Sequence, residues 1–139
     1  MPARLGYNRA INRDRPAPNE FEGELDTPGS MRAISFAGLS SLLRERARRP
    51  AFSPSSPRKA WPLAGPVFAV ERGEGRDAVL ALVNCSEQAA TVELPGPWIG
   101  TAAGFDPVGG RALSPRRTAG GALRLEGYQV LWLERQGDD

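Results

Sequence analysis

The sequence predicts a mainly β fold, an antiparallel β-sheet or sandwich module preceded by a loop and one amphipathic helix. Three observations carry that expectation. Apolar residues recur at helical three-or-four spacing before residue 50 and at a period of two beyond residue 66. Prolines at 50, 54, 57, 62 and 66 mark the change. The chain also holds 16 Gly and 13 Pro in 139 residues, about twice average usage, which demands many turns, while 40% hydrophobic residues still supply a core. One ordinary domain, or a small domain with an appendage, fits this length; a self-contained large barrel enzyme does not.

Residues 1–21 read as a polar loop, because Pro16 and Pro18 forbid a continuous helix through them. A helix is predicted over 27–49, entered either at Asp26-Thr27-Pro28, with a capping side chain ahead of proline, or at Ser30 as the competing N-cap. Met31, Ile34, Gly38 and Leu42 form one row and Phe36, Leu39, Leu43 and Ala47 the next, so the apolar face is wide and needs a sizeable packing partner. Arg44, Glu45, Arg46, Arg48 and Arg49 turn its end toward water and suit the negative pole of the helix dipole, and Pro50 stops it. Residues 53–65 read as a Pro-rich extended connection.

Strands are expected over 67–71, 78–84 and 91–94, with Gly73-Glu74-Gly75 as the first hairpin turn. The run Ala-Val-Leu-Ala-Leu-Val at 78–83 is apolar on both faces, so that strand should be central. One or two short strands are expected around 98–105 and 111–113, and strands over 122–126 and 128–134 close a β module spanning 66–135, ahead of a tail at 136–139. A lone helix with a broad apolar stripe, joined by a Pro-rich connection to a β module, is an odd order for an independent domain. The chain reads as the end of something larger.

Composition excludes several function classes. There is no histidine, which removes histidine triads, histidine metal sites and imidazole pH switches. Cys85 is the single cysteine, so neither an intramolecular disulfide nor a Cys-rich zinc site can form. No metal or cofactor is implied. The formal net charge is +2, and Lys59 is the only lysine among 18 basic residues. A GC-rich coding sequence gives that arginine bias without function, and the dispersed charge is not a phosphate-binding footprint, so no nucleic-acid partner is expected. No run approaches eighteen apolar residues, and no secretory pattern opens the chain. A soluble, cytoplasmic protein without a membrane partner is the expectation.

The densest polar cluster is Gly6-Tyr7-Asn8-Arg9-Ala10-Ile11-Asn12-Arg13-Asp14-Arg15. Guanidinium and amide groups fixed in a shared network suit sugar hydroxyls, which both donate and accept hydrogen bonds; on its own terms the same stretch is a solvated loop. Together with the helix ending Leu42-Leu43-Arg44-Glu45-Arg46 and the exit Arg49-Pro50-Ala51-Phe52, the segment Arg9-Ala10-Ile11-Asn12-Arg13 resembles the carboxy-terminal third of sucrose-phosphorylase-like enzymes of the α-amylase superfamily, glycoside hydrolase family 13. The tail Tyr128-Gln129-Val130-Leu131-Trp132-Leu133 is similar to the closing strand of that superfamily's C-terminal β domain.

The resemblance implies that residues 1–52 are the last loop and helix of a (β/α)8 barrel, and that the parent acts on an α-glucosidic bond with retention, transferring glucosyl to phosphate. The nucleophilic and acid carboxylates would precede this chain, so it contains no catalytic residue and should be inactive alone. By position, Arg9 falls in the glucose subsite, with Asn12 and Arg13 bracing the loop; the family usually presents Gly-Arg-Asp-Ile-Asn-Arg, and here Asn8 precedes Arg9 and Ala10 follows it. The implied partners are an α-glucoside and phosphate in the intact parent. A missing barrel domain or another copy would cover the apolar face of residues 30–47. A parent of the α-amylase-type hydrolase kind, and a freestanding β module binding carbohydrate or protein, are the alternatives.

Among the remaining residues, Trp61 and Trp98 suit either a sugar-stacking platform or the edge of a core. Trp132 and Tyr128 read as packing residues, Cys85 as a small buried apolar group, and Arg116 and Arg117 as a solvated pair. Gly109-Gly110 and Gly120-Gly121 lack the context of a phosphate loop.

Overall fold

The structure, a computed structural model, describes residues 17–135. The chain divides into two compact units, Met1–Ala37 and Gly38–Asp139. In the first unit a short helix, α1 (Pro18–Leu25), stands where the sequence suggested loop. The reason is local: proline at the first helical position loses no hydrogen bond, so Pro18 starts a helix instead of forbidding one. The hydroxyl of Thr27 donates to the carbonyl of Gly23 at 2.8 Å and closes its end.

The second helix, α2 (Met31–Ala47), is entered at Ser30, the later of the two predicted caps. Gly29 breaks the chain at φ 83°, and the Ser30 hydroxyl accepts from the backbone N–H of Ala33 at 3.0 Å, satisfying one of the free amides of the first turn. No residue of α2 is buried. Met31, Ile34, Phe36, Leu39 and Leu43 are all more than half exposed.

The second unit is a β module. Strands β1 (Arg58–Ala60), β2 (Val67–Arg72), β3 (Val79–Asn84), β4 (Ala90–Val92), β5 (Ala103–Asp106), β6 (Arg111–Leu113), β7 (Leu123–Leu125) and β8 (Val130–Glu134) form two sheets. The larger has the order β1-β2-β3-β8-β5-β6, and β4 pairs with β7 in the smaller. Every pairing is antiparallel. Strand β1 lies in the segment read as a plain connection, since three residues of edge strand are too few to show a period. The residues before β5 fold as a 3-10 turn over Gly96–Trp98 rather than as strand.

The alternation of β2, β3 and β8 sends Val67, Ala69, Leu80, Leu82, Leu131 and Leu133 to one face of the large sheet, where they meet Val92, Leu94, Trp98, Leu123 and Leu125. That is the sandwich core. Val79 and Trp132 point to the opposite face and pack with Ala51, Leu42, Phe52 and Phe105. Strand β3, between β2 and β8, is covered on both sides, which is why it reads as apolar at every position from Val79 to Val83. Each Leu fully buried here stabilises the fold by about 1.5–3 kcal/mol.

Asn84 is buried at the end of β3. Its amide donates to the carbonyls of Gln88 at 2.7 Å and Glu126 at 2.9 Å, while its oxygen accepts from the Ser86 amide and hydroxyl. It thereby ties the turn after β3 to the turn between β7 and β8.

Candidate functional site

The residues that carry the helix-exit and closing-strand motifs meet on the outer face of the large sheet. Arg49, read from the sequence as solvent-facing, is instead a hub whose side chain is 16% exposed. One of its terminal nitrogens donates to the Glu45 carboxylate at 2.8 Å and to the Glu45 carbonyl at 3.0 Å, and Nε donates to Glu134 on β8. The guanidinium also lies 4.2 Å from the centre of the Phe105 ring and 5.2 Å from that of Trp132. Phe52 packs on Trp132 with ring centres 4.5 Å apart. Ala51, buried beneath, leaves only 3.1 Å to where a side chain on Gly73 would begin, and Gly73 itself stands at φ 78°. The hairpin turn therefore needs glycine for both space and conformation.

The electrostatics follow from the geometry. Hydrogen bonding to Arg49 holds the Glu45 carboxyl below its ordinary range against the opposing effect of desolvation, with the charges of Arg48 and Arg49 adding to it. Burial disfavours the Arg49 charge, but its bonds to Glu45 and Glu134 more than offset that and raise its pKa. Beside the hub is an open cleft of about 380 Å³ reached by Glu45, Arg48, Arg76, Asp77 and Glu134. Glu45 and Glu134 are both committed to arginine. Its chemistry is that of a clasp between α2 and β8.

Arg9, Asn12 and Arg13 lie outside the described residues. The tryptophan platform is not formed: Trp98 is fully buried in the sandwich core. Trp61 donates Nε1–H to Glu71 at 2.8 Å and carries the Lys59 ammonium 3.6 Å over its ring, so one face is occupied. Trp132 packs as expected, whereas Tyr128 is 69% exposed at φ 56°, because the tight turn from Glu126 to Gln129 holds it out of the strand. Cys85 is also exposed, since the inward phase of β3 ends with Asn84. Arg116 is solvated and pairs with Glu126 at 3.1 Å; Arg117 is half-buried, donating to the Thr101 and Gly121 carbonyls. Among the described residues no group of three or more His, Cys, Asp or Glu could hold a metal ion, and no helix is long and apolar enough to cross a membrane.

The β module is similar to a known class of terminal modules: residues 66–133 match the family described as D-apionate lactonase, C-terminal immunoglobulin-like domain. The particular likeness is to phosphorylases. A glucosylglycerate phosphorylase from Allomeiothermus silvanus is 34% identical over 128 residues, 92% of this chain and 20% of that protein. A second, from Spirochaeta thermophila, is 30% identical over 138 residues, 94% of this chain and 24% of that protein. Among solved structures, a rhamnosidase from Novosphingobium sp. PP1Y overlays 72% of this chain and 10% of its own at 22% identity, with a TM-score of 0.37. The chain thus spans about a fifth to a quarter of the length of the curated relatives it matches. Along more than nine-tenths of its length the chain is similar to these two glucosylglycerate phosphorylases.

Proposed function

We propose that the chain is the carboxy-terminal part of a retaining α-glucoside phosphorylase and is catalytically silent by itself. Similarity to two glucosylglycerate phosphorylases along more than nine-tenths of the chain carries this proposal. The parent transfers glucosyl between a sugar or sugar-acid acceptor and inorganic phosphate through a covalent glucosyl-enzyme intermediate. That chemistry needs two carboxylates about 5–5.5 Å apart at the C-terminal ends of barrel strands, and a barrel takes roughly 250 residues, more than this chain holds. In the parent, Arg9 faces the glucose ring, Asn12 and Arg13 brace its loop, and residues 1–52 complete the barrel.

The exposed apolar side of α2 supports the same view, because a helix with five large apolar residues more than half exposed has a partner elsewhere. The barrel layer is that partner, and the clasp at Arg49 fixes the angle at which α2 leaves the β module. The parent is cytoplasmic, where phosphate and phosphorylated sugars are exchanged.

The test is an assay of the purified 139-residue chain with glucosylglycerate or sucrose and inorganic phosphate, alone and with a separately expressed barrel polypeptide from a phosphorylase relative. No glucose 1-phosphate is expected from the chain alone, and turnover is expected on addition of the barrel. Turnover by the chain alone would overturn the proposal. Release of free glucose irrespective of phosphate would instead favour a hydrolase parent.

A further inference from the structure

The cover on the outer face of the large sheet stops short. Leu42 of α2 and Phe52 pack with Val79, Ala81 and Trp132, and Ser41 donates to the Pro107 carbonyl at 3.2 Å, so α2 runs over the β8 and β5 side of the sheet. Beside it Phe68, Val83 and Val130 form one row across β2, β3 and β8, each opposite the next. They alternate with the buried Val67, Ala69, Leu82 and Leu131, so they point outward. Phe68 is 57% exposed, and Val83 and Val130 are half-buried.

A sheet face that meets water carries polar side chains. The small sheet does so: Thr91 and Arg124, opposite each other, are both exposed. The row of Phe68, Val83 and Val130 carries no charge, and neither does the next row of Val70, Ala81 and Trp132. This half of the large sheet is therefore built to be covered. Its width says by what. Neighbouring strands lie about 4.8 Å apart, so the row spans about 10 Å, the diameter of one helix.

The matched segment takes up 20% and 24% of the two phosphorylases, so in them such a module borders a much larger body of polypeptide. A layer that packs on the bare side of α2, at Leu39 and Leu43, and is wider than one helix overhangs the sheet beside α2. Only an element of helix thickness fills that step. We infer that the row of Phe68, Val83 and Val130 seats a second helix, an amphipathic helix of the parent's barrel packed alongside α2. The inference rests on the reading of this chain as the end of a barrel enzyme, and adds to it a contact made by the sheet itself.

Cys85, exposed and the only cysteine, follows Val83 in the outward phase of β3, so its alkylation reports on access to this face. The test is a chimera in which this chain replaces the carboxy-terminal portion of the Allomeiothermus silvanus glucosylglycerate phosphorylase, with Cys85 alkylation followed by peptide mass spectrometry. Alkylation is expected to be at least about tenfold slower in the chimera than in the 139-residue chain alone. Phe68→Glu should restore the rate and lower the melting temperature of the chimera while leaving that of the isolated chain unchanged; Ile99→Glu, at a site 71% exposed beside Leu94, should do neither. Phosphate-dependent turnover with Cys85 as reactive as in the isolated chain overturns the inference. Protection of Cys85 without such turnover supports it and counts against the phosphorylase reading. Hydroxyl-radical footprinting of the intact Allomeiothermus enzyme decides the matter even if the chimera misfolds: side chains aligned with Phe68, Val83 and Val130 should be protected, and oxidation as fast as at the position aligned with Ile99 overturns the inference.

Discussion

Arg49 joins three elements through groups that differ in kind: a helix carboxylate, a strand carboxylate and two aromatic rings. Replacing it with alanine leaves Glu134 without its partner and Glu45 with Arg48 alone, and uncovers Trp132. A buried pair broken on one side costs about 3–5 kcal/mol; with Glu134 at 38% exposure, we expect Arg49→Ala to cost about 2–3 kcal/mol. Urea denaturation of the chain measures it. Arg49→Lys should recover part of the loss, because an ammonium cannot serve both carboxylates in the same planar geometry. The pH dependence has a definite sign. Glu45 titrates below its ordinary value in the folded chain, so its contribution is present above the ordinary carboxylate range and is lost as pH falls through the depressed value. The difference in melting temperature between wild type and Glu45→Gln should therefore be largest near neutral pH and shrink on acidification.

Some of this was legible in the sequence and some was not. Leu80, Leu82, Leu131 and Leu133 declare themselves by alternation, since a period of two leaves no choice of face once one position is buried. Arg49 does not, because a run of charges at a helix end looks the same whether it faces water or reaches back to a strand. The available signals were the four-residue spacing of Glu45 and Arg49 and the phase of β8, which sets Trp132 and Glu134 on the face opposite Leu131 and Leu133. Asn84 gave no signal beyond its place at a strand end, because the contact that joins two turns, with the Glu126 carbonyl, lies far along the chain.

At the scale of the element, α2 divides its apolar residues by role. Leu42 packs against the Val79 and Trp132 cluster, whereas Ile34, Phe36 and Leu39 are more than half exposed. The triple change Ile34→Gln/Phe36→Gln/Leu39→Gln should leave the stability of the β module within about 0.5 kcal/mol and lower binding of a hydrophobic dye. Leu42→Ala should instead destabilise it by about 1–2 kcal/mol, less than a fully buried Leu→Ala, because Leu42 is only half-buried. Chemical denaturation with dye fluorescence in parallel separates the two outcomes. Periodicity found this helix, which ends at Ala47, three residues before Pro50, but the same breadth of stripe that marks a helix does not say which row is covered. The helix start was ambiguous for a related reason: Thr27 and Ser30 are both good caps, and Gly29 with its positive φ decides between them.

For the molecule as a whole, the β module has a closed core of its own, while α2 presents apolar surface that this core does not use. Strand order could not be read from the sequence, because β8 is inserted between β3 and β5 by pairing that local patterns do not encode. Class was readable from the change of period, and the likeness to phosphorylases from the Arg-Pro-Ala-Phe exit and the closing strand. We propose that the β module folds on its own core and that α2 is built to be covered by a layer outside these 139 residues. Amide hydrogen exchange on the chain tests it most directly. Amides of β3 and β8 should exchange only through global unfolding, and those of α2 between Met31 and Leu39 should exchange at least about a hundredfold faster by local opening. Equal protection of α2 and β3 in the isolated chain would contradict the account.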